Sequence, residues 1–161
     1  MKKLHNKNRG FSLLELIITL LIGSILLAWG LPNYRDFKIR KQIVDVANEV
    51  VYSMTLARAE AVRYGTDVRV RPVGGDWQNG WTITSIGIDG NANVLLAQEA
   101  AIDDNLTFEQ VGPLAGDLVF TPFGGLDGPV AGRFEIKNDT VTGFDRAVNI
   151  SLTGSSRVVE L

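Results

Sequence analysis

The chain has 161 residues, 45% hydrophobic and 21% charged, the size of one soluble domain with at most one appendage, which excludes a multidomain enzyme. With no cysteine and a single histidine, His5, it can hold no disulfide, thiolate metal site or cysteine nucleophile, and no Ser-His-Asp relay in its body. The formal charge of -2 conceals a segregation that weighs against nucleic acid as a partner: Lys2, Lys3, Lys7 and Arg9 stand at the start without an acid, whereas residues 72–161 carry four basic against twelve acidic side chains, a net of -8.

From Phe11 to Leu31 the sequence FSLLELIITLLIGSILLAWGL is almost continuously apolar, and as a helix these 21 residues span roughly 30 Å, the hydrocarbon thickness of a bilayer. A cleaved secretory signal fits poorly, because no small-x-small site closes the run at Ala28–Pro32 and an ordinary apolar signal core would not hold Glu15. A buried core helix would show a polar stripe, and Ser12, Thr19 and Ser24 are scattered. The segment therefore reads as one membrane crossing. Glu15 costs about 2.5 kcal/mol or more at a bilayer centre, so it either snorkels to the headgroups or is retained for a pairing; physics alone leaves both open. Pro32 removes a backbone donor and crowds the preceding turn, so a kink or local melting is expected near Gly30 to Pro32.

After Asn33 the stripe Ile39, Ile43, Val46, Val50, Met54, Ala57 and Ala61 recurs at three- and four-residue steps, an amphipathic helix that ends near Tyr64, with Gly65 as its left-handed cap. Beyond Gly65 the period changes to two. Strands are expected near Val68–Arg71, Trp81–Ile86, Val94–Ala97, Leu106–Glu109, Leu118–Thr121, Gly132–Lys137, Ala147–Leu152 and Arg157–Leu161. One long helix followed by short strands implies an α+β fold: an N-terminal helix, membrane-spanning in its first half, packed on an antiparallel β-sandwich-like domain of two sheets. The chain then divides into residues 1–10, 11–32 as the spanning helix, 33–65 as the amphipathic helix and 66–161 as the β-rich domain.

Motifs for chemistry are sparse. Asp89-Gly-Asn91-Ala-Asn93 opens like a calcium loop, but Val94 and Ala100 stand where Gly and Glu are needed, so it reads as a hairpin turn. Gly124, Gly125 and Gly128 lie in a Gly-rich stretch with no Gly-Lys-Ser/Thr after it, so no phosphate cradle is expected. Asp103-Asp104 reads as a solvated loop. No catalytic residue, metal site or cofactor is expected, and the chain reads as a non-enzyme. Arg58, Arg63, Arg69 and Arg71 could form a basic patch, but pairing with Glu60, Asp67 or the acidic body is the expected outcome.

Several of these segments are recognisable. Lys7-Asn-Arg-Gly10 followed by Phe11-Ser-Leu-Leu-Glu15-Leu resembles the class III leader of type IV prepilins and pseudopilins, and Pro32 stands where that family commonly has a helix-bending proline. Leu56-Ala-Arg58-Ala-Glu60-Ala-Val-Arg63-Tyr-Gly65, Trp77-x-x-Gly80-Trp81 and Phe120-Thr-Pro-Phe-Gly-Gly125 resemble pieces of the GspH/FimT family of minor pilins and pseudopilins. The resemblance implies that a prepilin peptidase cuts between Gly10 and Phe11 and that the new amino terminus, Phe11, is methylated. It further implies that Glu15 serves filament assembly by pairing with a neighbour's amino terminus. The implied product is a single-pass protein of the bacterial inner membrane with a periplasmic domain. It joins major and minor pilins or pseudopilins in a type IV pilus or, as the H-type subunit, in a type II secretion pseudopilus, near the tip or in assembly initiation. Some relatives in naturally competent bacteria are similar to DNA receptors with a C-terminal Gly-Arg-x-Arg segment. Here Thr153-Gly154-Ser155-Ser156-Arg157 keeps the Gly and one Arg, which speaks against that alternative; Arg157, Arg69 and Arg71 are the candidate DNA contacts.

Overall fold

The computed structural model describes residues 11–87, 92–112, 116–128 and 132–161. It falls into a first unit that ends at Lys38 and a second formed by Ile39–Leu161. One helix, α1, covers Leu13–Tyr64. Its hydrogen bonding opens with Leu16 N–H donating to the Ser12 carbonyl (3.1 Å). It closes at Gly65, whose φ of +65° lets its N–H reach the Ala61 carbonyl at 3.0 Å, the expected left-handed cap.

Within the first unit, the apolar side chains from Leu13 to Leu31 are exposed, and Thr19 and Ser24 return their hydroxyls to the Leu16 and Leu21 carbonyls, each at 2.8 Å. Such internal satisfaction suits a segment surrounded by hydrocarbon. The helix runs unbroken through Gly30–Pro32, so local melting does not occur there. Pro32 still has no N–H to offer the carbonyl one turn earlier, at Ala28.

In the second unit, the buried helical residues Ile43, Ala47, Val50, Ser53, Met54, Ala57 and Ala61 form one stripe; Ile39 and Val46 of the expected stripe are partly buried at its margin. The stripe packs on two four-stranded antiparallel sheets. The strands are β1 (Val68–Pro72), β2 (Trp81–Ser85), β3 (Val94–Gln98), β4 (Thr107–Val111), β5 (Leu118–Phe120), β6 (Gly132–Lys137), β7 (Arg146–Ile150) and β8 (Ser156–Glu160). The sheet orders are β3-β2-β1-β5 and β4-β6-β7-β8. All eight expected strands form, with no end shifted by more than two residues and β6 where expected. Strand β7 stops at Ile150 because Ser151 opens a turn, in which its N–H bonds the Ser155 carbonyl and Gly154 N–H bonds its own carbonyl, each at 2.9 Å.

Aromatic rings join the sheets at the core. Trp77 and Phe134 have centroids 4.7 Å apart, Phe108 and Phe134 5.1 Å, and Trp81 and Phe108 6.0 Å. The Trp77-x-x-Gly80-Trp81 motif builds this corner. Asp76 caps a short 3₁₀ turn, Trp77–Asn79, by accepting from Gln78 N–H at 3.0 Å. Gln78 then clamps the chain crossing between sheets: its amide donates to the Leu106 carbonyl (3.0 Å) and its side-chain oxygen accepts from Phe108 N–H (2.9 Å).

Candidate functional site

The residues implied by the leader lie at the start of the first unit. Gly10 lies outside the described residues; Phe11 precedes α1 and is 80% exposed. Glu15 occupies the first helical turn, where the positive end of the helix dipole favours a carboxylate. Among the described residues no cation pairs with it. Among the described residues the arrangement is a carboxylate without a local partner in the first turn of a helix whose apolar residues are likewise uncovered. Among the described residues no cluster of His, Cys, Asp or Glu could hold a metal ion. The calcium-like residues Asp89 to Asn91 lie outside the described residues, although β2 and β3 on either side pair antiparallel, as a hairpin requires.

The second candidate group, the arginines, is scattered by the fold. Arg69 and Arg71 share one face of β1 and both turn to Asp117: Arg71 bonds it through Nε and Nη2 at 2.8–3.1 Å, and Arg69 Nε lies 3.5 Å from Oδ2. Asp117 thereby raises the Arg71 pKa, by hydrogen bonding first and charge second. Among the described residues Asp67, offered as a partner by the sequence, pairs with no cation; the partner comes from the acidic body, just before β5, which pairs with β1 across the sheet. Arg63 pairs with Glu60 as expected, at 3.4 Å. Arg157 lies exposed on β8 in the other sheet, across from Asn149, so it is not brought together with Arg69 and Arg71. The acidic body also neutralises its own cations: Glu135, 5% exposed, lies between Arg133 and Lys137, and Arg146 pairs with Glu160 at 3.0 Å. The Lys137 hydrogen bond, joined by the charges of Lys137 and Arg133, holds the Glu135 carboxyl below its ordinary range against the opposing effect of burial.

Two features had no signal in the sequence. Phe123 tops the turn Thr121–Gly125 and is 97% exposed, although its motif reads as apolar. Glu49 of α1 meets Glu99 after β3, a pairing of two acids 50 positions apart that no local pattern announces. Partial desolvation, a hydrogen bond with Glu99 and the charges of Glu99 and Asp45 push the Glu49 carboxyl up to about 7.

A helix with an uncovered apolar first half, followed by helical turns packed on two antiparallel sheets, is the architecture of pilin-like subunits. It is similar to the type IV minor pilin FimU of Pseudomonas aeruginosa PAO1: 24% identity over 78% of this chain and 92% of that one, with a TM-score of 0.61. It is also similar to the minor pseudopilin EpsH of the Vibrio cholerae type 2 secretion system, at 15% identity over 74% and 97% of the two chains and a TM-score of 0.55. The prokaryotic N-terminal methylation motif matches residues 5–31, and the model of the type II transport protein GspH matches residues 46–154. The chain belongs to the GspH family. No curated protein matches it.

Proposed function

We propose that the chain is a structural minor subunit without catalytic turnover, made as an inner-membrane precursor, cut by a prepilin peptidase after Gly10 and methylated on Phe11. Residues 11–32 then hold it in the membrane with residues 33–161 in the periplasm, until it enters a type IV pilus or a type II secretion pseudopilus beside other pilins or pseudopilins. A place near the tip, in initiating assembly, suits a subunit present in few copies. The observation that carries this reading is the stretch Leu13–Leu31 of the first unit, an uncovered apolar helix with a single carboxylate, Glu15, in its first turn. That carboxylate lies about 6 Å along the helix axis from the new amino terminus, and at low dielectric it can neutralise the amino group of a neighbouring subunit.

Intact-mass measurement of the chain made together with its peptidase tests the first step; loss of the ten leader residues is expected, and a full-length mass overturns it. Glu15→Ala is expected to leave cleavage intact and to impair incorporation into the filament. Normal incorporation of that variant would favour snorkelling instead. A DNA-binding minor pilin is the weaker reading, because Arg69 and Arg71 are engaged by Asp117 and Arg157 stands alone on β8.

A further inference from the structure

At the end of the apolar run α1 carries side chains that neither hydrocarbon nor the domain core accounts for. Trp29, Tyr34 and Phe37 are 81%, 66% and 64% exposed, and Arg35 and Lys38 are exposed cations. All five belong to the first unit, whereas the next basic residue, Arg40, belongs to the second and stacks on Phe144. Among the described residues neither Arg35 nor Lys38 has an ion-pair partner. Asp36, the one acid among residues 29–38, adjoins Arg35 in sequence and therefore stands on another side of the helix, while Arg35 and Lys38, three apart, are neighbours on one side. Tyr34, Arg35 and Lys38 lie about 4.5, 6 and 10 Å along the axis beyond Leu31. The headgroup layer on each side of a bilayer is about 5–7 Å thick. Helical side chains lean toward the N-terminus, here toward the span, so the long stems of Arg35 and Lys38 reach back into that layer.

We propose that Trp29, Tyr34, Arg35, Phe37 and Lys38 form a collar that binds anionic phospholipid headgroups in the leaflet where the span ends. The inference rests on the proposed reading of residues 11–32 as a membrane span and deepens it by naming the lipid. Continuity identifies the occupant first: the collar follows directly on the uncovered run Leu13–Leu31, so the leaflet that surrounds the end of that run presents its headgroups at this height. Charge complementarity identifies it further. Trp and Tyr rings settle at the headgroup level, and unpaired Arg and Lys donate to phosphate oxygens. A zwitterionic headgroup carries its own ammonium beside the phosphate, so the two cations select lipids whose headgroup keeps a net negative charge. Their side of the membrane also runs against a general bias, since Lys and Arg flanking a span are enriched on the cytoplasmic side and these two follow the span toward the periplasm in the proposed orientation. Acidic side chains of a filament neighbour are the rival occupant, and they predict no lipid preference in the isolated chain.

Trp29 is itself the reporter, because the other two tryptophans, Trp77 and Trp81, are buried in the core. About 24 Å of helix separates it from Leu13, so it senses the leaflet at its own end of the span and not the one on the side of Lys2, Lys3, Lys7 and Arg9. The full-length chain is reconstituted into phosphatidylcholine vesicles that contain brominated phosphatidylglycerol or, at the same fraction, brominated phosphatidylcholine, and tryptophan quenching is compared. Quenching that corresponds to a local enrichment of the anionic lipid of at least roughly fivefold, the factor one cation supplies near a charged surface, is expected, and it should fall at high salt. Arg35→Gln combined with Lys38→Gln, at exposed helical positions, should bring the two lipids level. Arg35→Lys combined with Lys38→Arg keeps both charges and should keep the preference. Equal quenching by the two lipids in the unaltered chain, or a preference that survives in the double glutamine variant, overturns the inference and leaves the span standing. Loss of the preference in the charge-keeping variant as well, with an unchanged melting temperature, also overturns it. Quenching by neither lipid, together with release of the chain from the vesicles by an alkaline wash, would sink the span reading itself.

Discussion

Gly80, at φ +83°, shows how one residue can secure a corner: a Cβ there would run into the carbonyls of Glu99 and Ala100. A side chain is strained by the dihedral and blocked by backbone that cannot turn aside, so Gly80→Ala is expected to cost at least about 3 kcal/mol in urea unfolding. A cost below 1 kcal/mol would mean that the crossing chain can move away. Glu135 offers a second test. It is hidden beneath Arg133 and Lys137 in a thin polar layer, with Phe134 and Ile136 turned to the core. Its carboxyl is held below the ordinary 4.5, so its contribution is present above that value and is lost as pH falls through the lower folded pKa. Glu135→Gln should therefore lower stability by about 1 kcal/mol at neutral pH, solvent screening of the outer cations included, and the difference should shrink in acid. A difference that grows below pH 4 contradicts this account.

At the scale of elements, α1 and the segment between β3 and β4 are tied by polar contacts that include one conflict. Gln42 Nε2 donates to Asp103 at 2.6 Å and its carbonyl accepts from Asn105 at 3.0 Å, while beside them Glu49 meets Glu99. With the Glu49 pKa raised from 4.5 to about 7, the folded chain holds a proton that the unfolded chain has released. The stabilisation is thus complete below 4.5 and disappears as pH rises through 7, opposite in sign and distinct in window from that of Glu135. Thermal unfolding between pH 5 and 8 should show this decline, and Glu49→Gln should flatten it; an unchanged slope in the variant would assign the decline elsewhere. The elements themselves were legible in the sequence, because the stripe from Ile43 to Ala61 and the strands between turn residues follow from spacing that burial enforces. What stayed hidden depended on pairing between distant segments. Asp117 reaches Arg71 only because β5 lies beside β1, and Glu99 reaches Glu49 only because β3 ends beside the helix. At Pro32 local sterics announced a disruption, yet one missing donor in a long apolar helix does not break it.

For the whole molecule, charge decides the remaining question of duplex DNA. Nonspecific affinity comes from cations free to replace counterions at phosphates, each adding to the salt dependence. Beyond residue 71 the net is -8, and Arg133, Lys137 and Arg146 are each held by a carboxylate of the same sheet. Arg69 and Arg71 share Asp117, and Arg40 of the helix lies 3.8 Å over the Phe144 ring. Among the described residues Arg35, Lys38, Lys41, Arg58 and Arg157 have no ion-pair partner; the first four lie on α1, whereas Arg157 lies on β8. The part from about Asn33 onward keeps every buried residue of the core, and it should bind duplex DNA more weakly than micromolar, near the usual nonspecific range of roughly 10⁻⁴–10⁻⁶ M, with a shallow salt slope. Many copies along a filament would raise the apparent affinity by avidity, so the isolated domain is the proper test. A gel-shift titration at low and moderate salt distinguishes the outcomes. Micromolar or tighter binding that weakens with Arg157→Ala would make a DNA receptor the better description; binding lost only with Arg69 and Arg71 would locate the contact on β1, where displacing Asp117 must come first.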